Sequence, residues 1–283
     1  MAPLSLLPLA ILASTPFASA IPSSHLYPYP RAACDKPTLD SAADTYVSAQ
    51  TSGSLNTLHS LFASNFTYLE NNKEILTEQS LLKKPLKIEH RRTNHDLVTC
   101  ATYTELVAPT GPYVIGTQIK HDAATGKIVS IDTVASTTGS WLFNATKTLS
   151  YVLNETWVEI PEGKRDARAT IQAAGDAYLD MWSDAAADKK VPWGTPCVRL
   201  EGSAYTGTGA ATDSCKPGIP SNHNQAPNTH RRYVIDESMG SVSIFCVWEH
   251  MMNASDSHEF RLENGKLRYV HTITECGGKT CKL

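Results

Sequence analysis

Apolar positions along the chain change period in a fixed order, and that order occurs twice. Leu39, Ala42, Ala43, Tyr46 and Val47 recur at i, i+3, i+4, i+7 and i+8, the spacing of one helix face. Ile171, Ala174, Tyr178 and Leu179 repeat the stripe later in the chain. After each helix the apolar residues begin to alternate, as on a half-buried strand. A short strand is predicted around residues 66–69 and again around 197–201. Longer strands follow, in the second half at 232–235 leading into 241–248, then 259–262, then 267–274. Glu263-Asn264-Gly265-Lys266 predicts a tight hairpin, because Asn-Gly suits the two positive φ angles of a type I′ turn. Ala124-Thr125-Gly126-Lys127 is its counterpart.

The repeat is also written in identities. Ala42 and Ala174 are 174 − 42 = 132 apart, and Leu69-Glu70 and Leu200-Glu201 are 200 − 69 = 131 apart. His90-Arg91-Arg92 and His230-Arg231-Arg232 are 230 − 90 = 140 apart, and Gly126 and Gly265 are 265 − 126 = 139 apart. The offset steps up once, between Glu201 and His230, as one insertion in the second half would produce.

A helix followed by a curved antiparallel sheet is an α+β design, and here it predicts two tandem cone-shaped domains, each a helix packed in its sheet. The first is expected over residues 36–158 and the second over 159–283. In this order of elements each half resembles the SnoaL-like/nuclear-transport-factor-2-like superfamily. That resemblance implies a pocket at the open end of each cone and a His or Asp general base on a late strand. Four stretches resemble a family of secreted fungal proteins carrying an uncharacterised domain: Gly139–Thr146, Val191–Gly202, Asp256–Arg261 and Tyr269–Thr272. The second resemblance implies a source and a compartment, with no reaction attached.

Composition narrows the compartment and the partners. The 283 residues are 41% hydrophobic and 19% charged, enough apolar content for a packed core. A net charge of −3 disfavours nucleic acid or anionic lipid as the main partner. Residues 1–20 read as a signal peptide, with an apolar run from Leu4 to Ala13 and Ala18-Ser19-Ala20 before the cut. Residues 21–35 read as an extended tail rich in Pro, Ser and Tyr. No second apolar stretch is long enough to anchor the chain. Asn65, Asn144, Asn154 and Asn253 head N-x-S/T sequons and are expected to be glycosylated. Secretion calls for disulfides among the seven cysteines. Cys197 with Cys215, Cys276 with Cys281, and Cys34 with Cys100 are the expected pairs, leaving Cys246 as a buried thiol.

Strand alternation then sorts candidate chemistry. On the last strand Leu267, Tyr269, His271 and Ile273 share a face, which is expected to line the pocket with His271 as general base and Tyr269 beside it. The 139 offset maps His271 onto Asp132. Arg199 and Glu201 share a face and either orient a substrate oxygen or form a structural ion pair; Glu70 matches Glu201 as a substrate-binding candidate, and Asn72 after Glu70 either serves a ligand or forms a turn. Of each Arg pair one side chain points inward, Arg232 among them, either to bind an anionic group of the substrate or to form a structural salt bridge, with Asp96 and Asp236 the expected partners. His258 is expected near His271 across the hairpin, as a second acid or base. No third ligand is evident for a metal, so no metal or cofactor is expected. G-x-S-x-G, P-loop and dinucleotide motifs are absent from the sequence.

These features favour a secreted, cofactor-free lyase, isomerase or cyclase acting on a small, mostly apolar molecule such as a fungal secondary metabolite. The rival is a secreted non-catalytic carrier or effector. The expected partner is a small molecule, with no nucleic acid and no membrane anchor. Oligomeric state is not legible in the sequence.

Overall fold

The computed structural model describes Met1 and residues 34–282. The expected signal peptide and nearly all of the tail lie outside the described residues. Helix α1 (Lys36–Ser52) starts where the Asp35 carboxylate accepts from Thr38 N, and it stops at Gly53, whose φ of +69° suits a left-handed cap. A short helix α2 (Asn56–His59) leads into strands β1 (Phe62–Glu70), β2 (Lys73–Glu74), β3 (His90–Asp96), β4 (Ala101–Ala108), β5 (Tyr113–His121) and β6 (Ile128–Ser136). Helix α3 (Ala145–Val152) links the halves. Then come α4 (Arg168–Asp180), α5 (Ala185–Asp188), β7 (Val198–Glu201), β8 (Ala204–Tyr205), β9 (Asn228–Asp236), β10 (Ser241–Trp248), β11 (Ala254–Glu263) and β12 (Lys266–Glu275).

The repeat survives in the topology. One six-stranded sheet runs β2-β1-β6-β5-β4-β3 and the other β8-β7-β12-β11-β10-β9, the same order displaced by six strands. The expectation of antiparallel sheets is corrected, because each sheet is mixed: β1 with β6 and β7 with β12 are parallel, since the helix-side connection returns the first strand beside the last in the same direction, and every other pairing is antiparallel. The run expected to continue from residue 232 to 248 is two strands, because the segment after Asp236 turns at Gly240, φ +58°. Asn264 and Gly265 carry φ of +54° and +71°, the two positive angles expected of their hairpin. Each helix buries its predicted stripe on one face of its sheet: Ala42 and Tyr46 join Leu106, Ile115 and Ile131, while Ile171, Ala174 and Tyr178 join Ile244, Phe260 and Val270.

The opposite faces of the two sheets pack on each other around a local two-fold relation. Tyr103 meets Phe245 edge-on at 6.1 Å within an apolar layer that includes Val134, Leu200 and Ile273. His95 N donates to Asp236 (2.8 Å) and Ile235 N donates to Asp96 (3.0 Å), the same contact made in each direction. Arg92 reaches Glu259 in the second sheet, and Arg232 reaches Asp132 in the first.

One expectation about faces is overturned by a bulge. Arg261 pairs with Tyr269 and Leu262 with Leu267, leaving Arg268 without a partner across the ladder. An extra residue reverses the parity of the strand from that point on. Leu267 therefore packs toward α4, but so does Val270, and Tyr269 and His271 are turned away from the cone's interior. The first half has the same bulge at Val129: Lys120 pairs with Ser130 and His121 with Ile128. Ile128 and Ile131 face α1, and Asp132 faces the other sheet.

The cysteines pair as expected, Cys34 with Cys100, Cys197 with Cys215 and Cys276 with Cys281, and Cys246 is a buried free thiol. The asparagines of the four sequons are exposed. Among the described residues no helix is long and apolar enough to cross a membrane. Disulfides and that absence are compatible with a secreted protein.

Candidate functional site

Two residues apart on β7, Arg199 and Glu201 project to the same side, and Leu200 between them enters the layer between the sheets. Arg199 and Glu201 line a cavity of about 360 Å³ at the open end of the second half. Four of its twelve lining residues are aromatic, Trp141, Trp182, Trp248 and Tyr205, and Pro217 and Pro220 join them from the insertion after β8. Cys197–Cys215 ties that insertion to the start of β7. Trp248 stands 5.6 Å from Trp182 and 6.3 Å from Trp141, ring to ring.

The polar groups of the cavity are held but not saturated. The Arg199 guanidinium donates to the Pro217 carbonyl (2.5 Å) and to the Tyr178 hydroxyl (3.4 Å), while its Nε is buried without a partner. Glu201 Oε1 accepts from the Trp141 indole (3.2 Å), and its Oε2 is also buried without a partner. The two residues are 5% and 7% exposed, and both unpaired atoms are shielded from solvent. Arg199 and Glu201 form no direct ion pair. Burial lifts the Tyr178 hydroxyl to about 12, so it remains a proton donor at neutral pH.

Behind Tyr178 lies a second polar group. The His258 ring is 5.6 Å from the Tyr178 ring, and its Nδ1 is 2.9 Å from Asp256 Oδ2. Asp256 Oδ1 accepts from Thr274 (2.8 Å), and Cys246 Sγ is 3.6 Å from Asp256 Oδ2. Burial presses His258 toward neutrality, but the Asp256 carboxylate outweighs it and raises the imidazole above its ordinary range. Cross-strand pairing places His258 opposite Thr272 and Glu259 opposite His271. The two histidines thus lie on opposite faces of one sheet rather than side by side.

The matching interior of the first half is closed. Leu81, Leu82 and Leu86 fill it from the segment after β2. Glu70, the counterpart of Glu201, accepts from Tyr68 (2.9 Å) and from Leu81 N (2.8 Å). Tyr46, the counterpart of Tyr178, shares a hydrogen bond with Thr117 at 2.7 Å.

The remaining predicted residues gather between the sheets. His271 is 2% exposed, with Nδ1 2.9 Å from Glu105 and Nε2 2.7 Å from Glu155. Burial opposes its charge, yet Glu155 and Glu105 raise it to about 10. Arg92 bonds Glu105 (3.1 Å) and Glu259, and with His271 holds the Glu105 carboxyl well below its usual range against burial. Tyr269 stacks on Trp157 at 5.3 Å. Asp132 and Asn72 both bind Arg232, and burial raises the Asp132 carboxyl despite that partner. The expected partners of the Arg pairs are replaced. Arg91 and Arg231 reach back to Asp44 and Asp176 on the helices, and Asp96 binds Arg168. The sequence reading missed Trp141, Trp182, Trp248, Tyr178 and Asp256 as parts of one site. Tryptophans at element ends and a Cys-Asp-His set spread over two strands carry no local signal.

Residues 164–274 match a family described as a domain of unknown function (DUF8021). The match runs from just before α4 through nearly all of β12, so it takes in Arg199, Glu201 and His258. No curated protein matches the chain. Among solved structures, one similar chain is a nuclear-transport-factor-2-like protein from Bacteroides fragilis, at 10% identity and a TM-score of 0.19, covering 82% of this chain and 97% of that one. At that score the likeness carries no argument here.

Proposed function

We propose that the second half is a secreted lyase or isomerase whose cavity binds a small, mostly apolar organic molecule and moves a proton on it. The observation that carries this reading is the convergence of Arg199 and Glu201, each with an open buried valence, on an aromatic cavity. Such a pocket suits a ligand with an apolar body and one or two polar groups. The Glu201 carboxylate is the base: it takes a proton from carbon beside a substrate carbonyl. The electron pair becomes an enolate, whose oxygen the Arg199 guanidinium stabilises. Return of the proton elsewhere gives an isomer. Delivery of the proton to a departing hydroxyl releases water and leaves a double bond. The first half has the same frame with its interior filled and its carboxylate satisfied, and in this reading it is scaffold.

His271 takes no part in proton transfer in this reading. It is charged, buried between carboxylates, and faces the other sheet. The test is untargeted mass spectrometry of culture medium from the producing organism carrying either the wild-type chain or Glu201→Gln. The expected result is a precursor that accumulates with the variant, and loss of a product isomeric with it or lighter by one water. A molecule recovered unchanged from the wild-type cavity, with identical media, overturns the enzyme in favour of a carrier.

A further inference from the structure

Beyond the cavity itself, we propose that Cys246, Asp256 and His258 bind a divalent transition-metal ion of the zinc type. The three lie on neighbouring strands: Cys246 and Asp256 are paired across β10 and β11, and His258 is two residues further on the same face. One ligand atom from each falls within 4.8 Å of the others, and all three side chains are buried. A tetrahedral ion at ~2.3 Å from sulfur and ~2.0 Å from oxygen or nitrogen separates S from O by ~3.5 Å and N from O by ~3.3 Å. The observed separations are 3.6 Å for Sγ to Oδ2 and 2.9 Å for Nδ1 to Oδ2, so the sulfur–oxygen separation already matches that of a shared ion and the nitrogen–oxygen separation is a few tenths of an ångström short.

The hydrogen-bond inventory points the same way. His258 Nδ1 is near Asp256 but off the axis of a hydrogen bond, and both ring nitrogens are buried without a hydrogen-bond partner. A satisfied core histidine does not leave a buried ring nitrogen open, as Nε2 is here, while Nδ1 meets Asp256 only as an ion pair. Thr274 donates to the other Asp256 oxygen at 2.8 Å, which orients the carboxylate so that Oδ2 is turned to the Cys246 thiol and the His258 ring, the two groups a metal ion would join to it. Thiolate, carboxylate and neutral imidazole sum to −2, so a dication yields a neutral buried cluster. Thiolate with imidazole selects zinc-like ions over magnesium or calcium. Three protein ligands leave a fourth position open, the pattern of catalytic rather than structural zinc. The other candidate cluster, Glu105, Glu259 and His271, has no such vacancy, because the Arg92 guanidinium is bound to both glutamates.

The experiment uses the untagged, secreted full chain, loaded with Zn²⁺ or Co²⁺, dialysed, and measured for metal by plasma mass spectrometry and absorption. One equivalent of metal is expected, with a thiolate-to-cobalt charge-transfer band in the Co²⁺ form. Cys246→Ser should abolish the band, and His258→Gln should reduce the metal at least tenfold. Wild-type chain that retains no metal and shows no band overturns the proposal, whether or not the variants fold. Equal metal in folded Cys246→Ser and wild type also overturns it. The readout is metal content, so a chain that binds no metal yet turns over substrate refutes this site and leaves the reading of Glu201 and Arg199 intact.

Discussion

Alkaline pH should loosen the contact between the two sheets through one residue, His271. Its ring is charged in the folded chain, gripped by Glu105 and Glu155, and its pKa is raised to about 10 from an ordinary 6.5. A raised cationic pKa means stabilisation that is complete below pH ~6.5 and lost as pH climbs through ~10. Between pH 6.5 and 9.5 the unfolded chain has released this proton and the folded chain has not. The slope over that window is ~1.36 kcal/mol per pH unit, or about 4 kcal/mol in all. For a chain of this size 1 kcal/mol is worth roughly 2–4 °C, so Tm should fall by roughly 8–16 °C from this source. Thermal melts at half-unit steps, for wild type and His271→Gln, isolate the residue from other groups that titrate in the same range. The variant should start lower, by about 3–5 kcal/mol at pH 6.5, because Glu105 and Glu155 lose a buried partner. It should then show a much flatter pH dependence. An equally steep fall in His271→Gln would refute the assignment of the proton to this ring.

Other outcomes follow from the cavity and its supports. Glu201→Gln should abolish turnover while a bound molecule is still retained, checked by native mass spectrometry of the complex. Gly202 has φ +57°, and a Cβ there would lie 2.5 Å from the Trp141 carbonyl oxygen. Gly202→Ala should therefore displace Trp141 from Glu201, seen as changed tryptophan fluorescence and weaker ligand binding. Removing Cys197–Cys215, whose cysteines are 18 residues apart, should cost about 3 kcal/mol on loop entropy, measurable by urea unfolding. Arg92→Ala leaves Glu259 buried without its cation and Glu105 with His271 alone, and should cost roughly 3–5 kcal/mol, read by the same unfolding curves.

Much of the frame was legible because it depends on near neighbours. The stripes of α1 and α4 rest on 3.6-residue periodicity, the 264–265 turn on the tolerance of Asn-Gly for positive φ, and the sheet order on a repeat visible as identities. The shared face of Arg199 and Glu201 follows from the two-residue period of an unbroken short strand. His271 and Asp132 were misplaced for the converse reason. A bulge is fixed by register with the partner strand, and the extra residues, Arg268 and Val129, look like any other strand residues in sequence.

By itself, then, the sequence determined two similar α+β halves, the three cysteine pairs and an Arg–Glu pair on one strand. Tertiary structure alone decided which interior stays open. Leu81 and Leu82 fill the interior of the first half, while a disulfide-tied insertion walls a cavity in the second. It alone also brought Cys246, Asp256 and His258 together. Such choices rest on contacts between residues far apart in the chain, where neither periodicity nor spacing carries information.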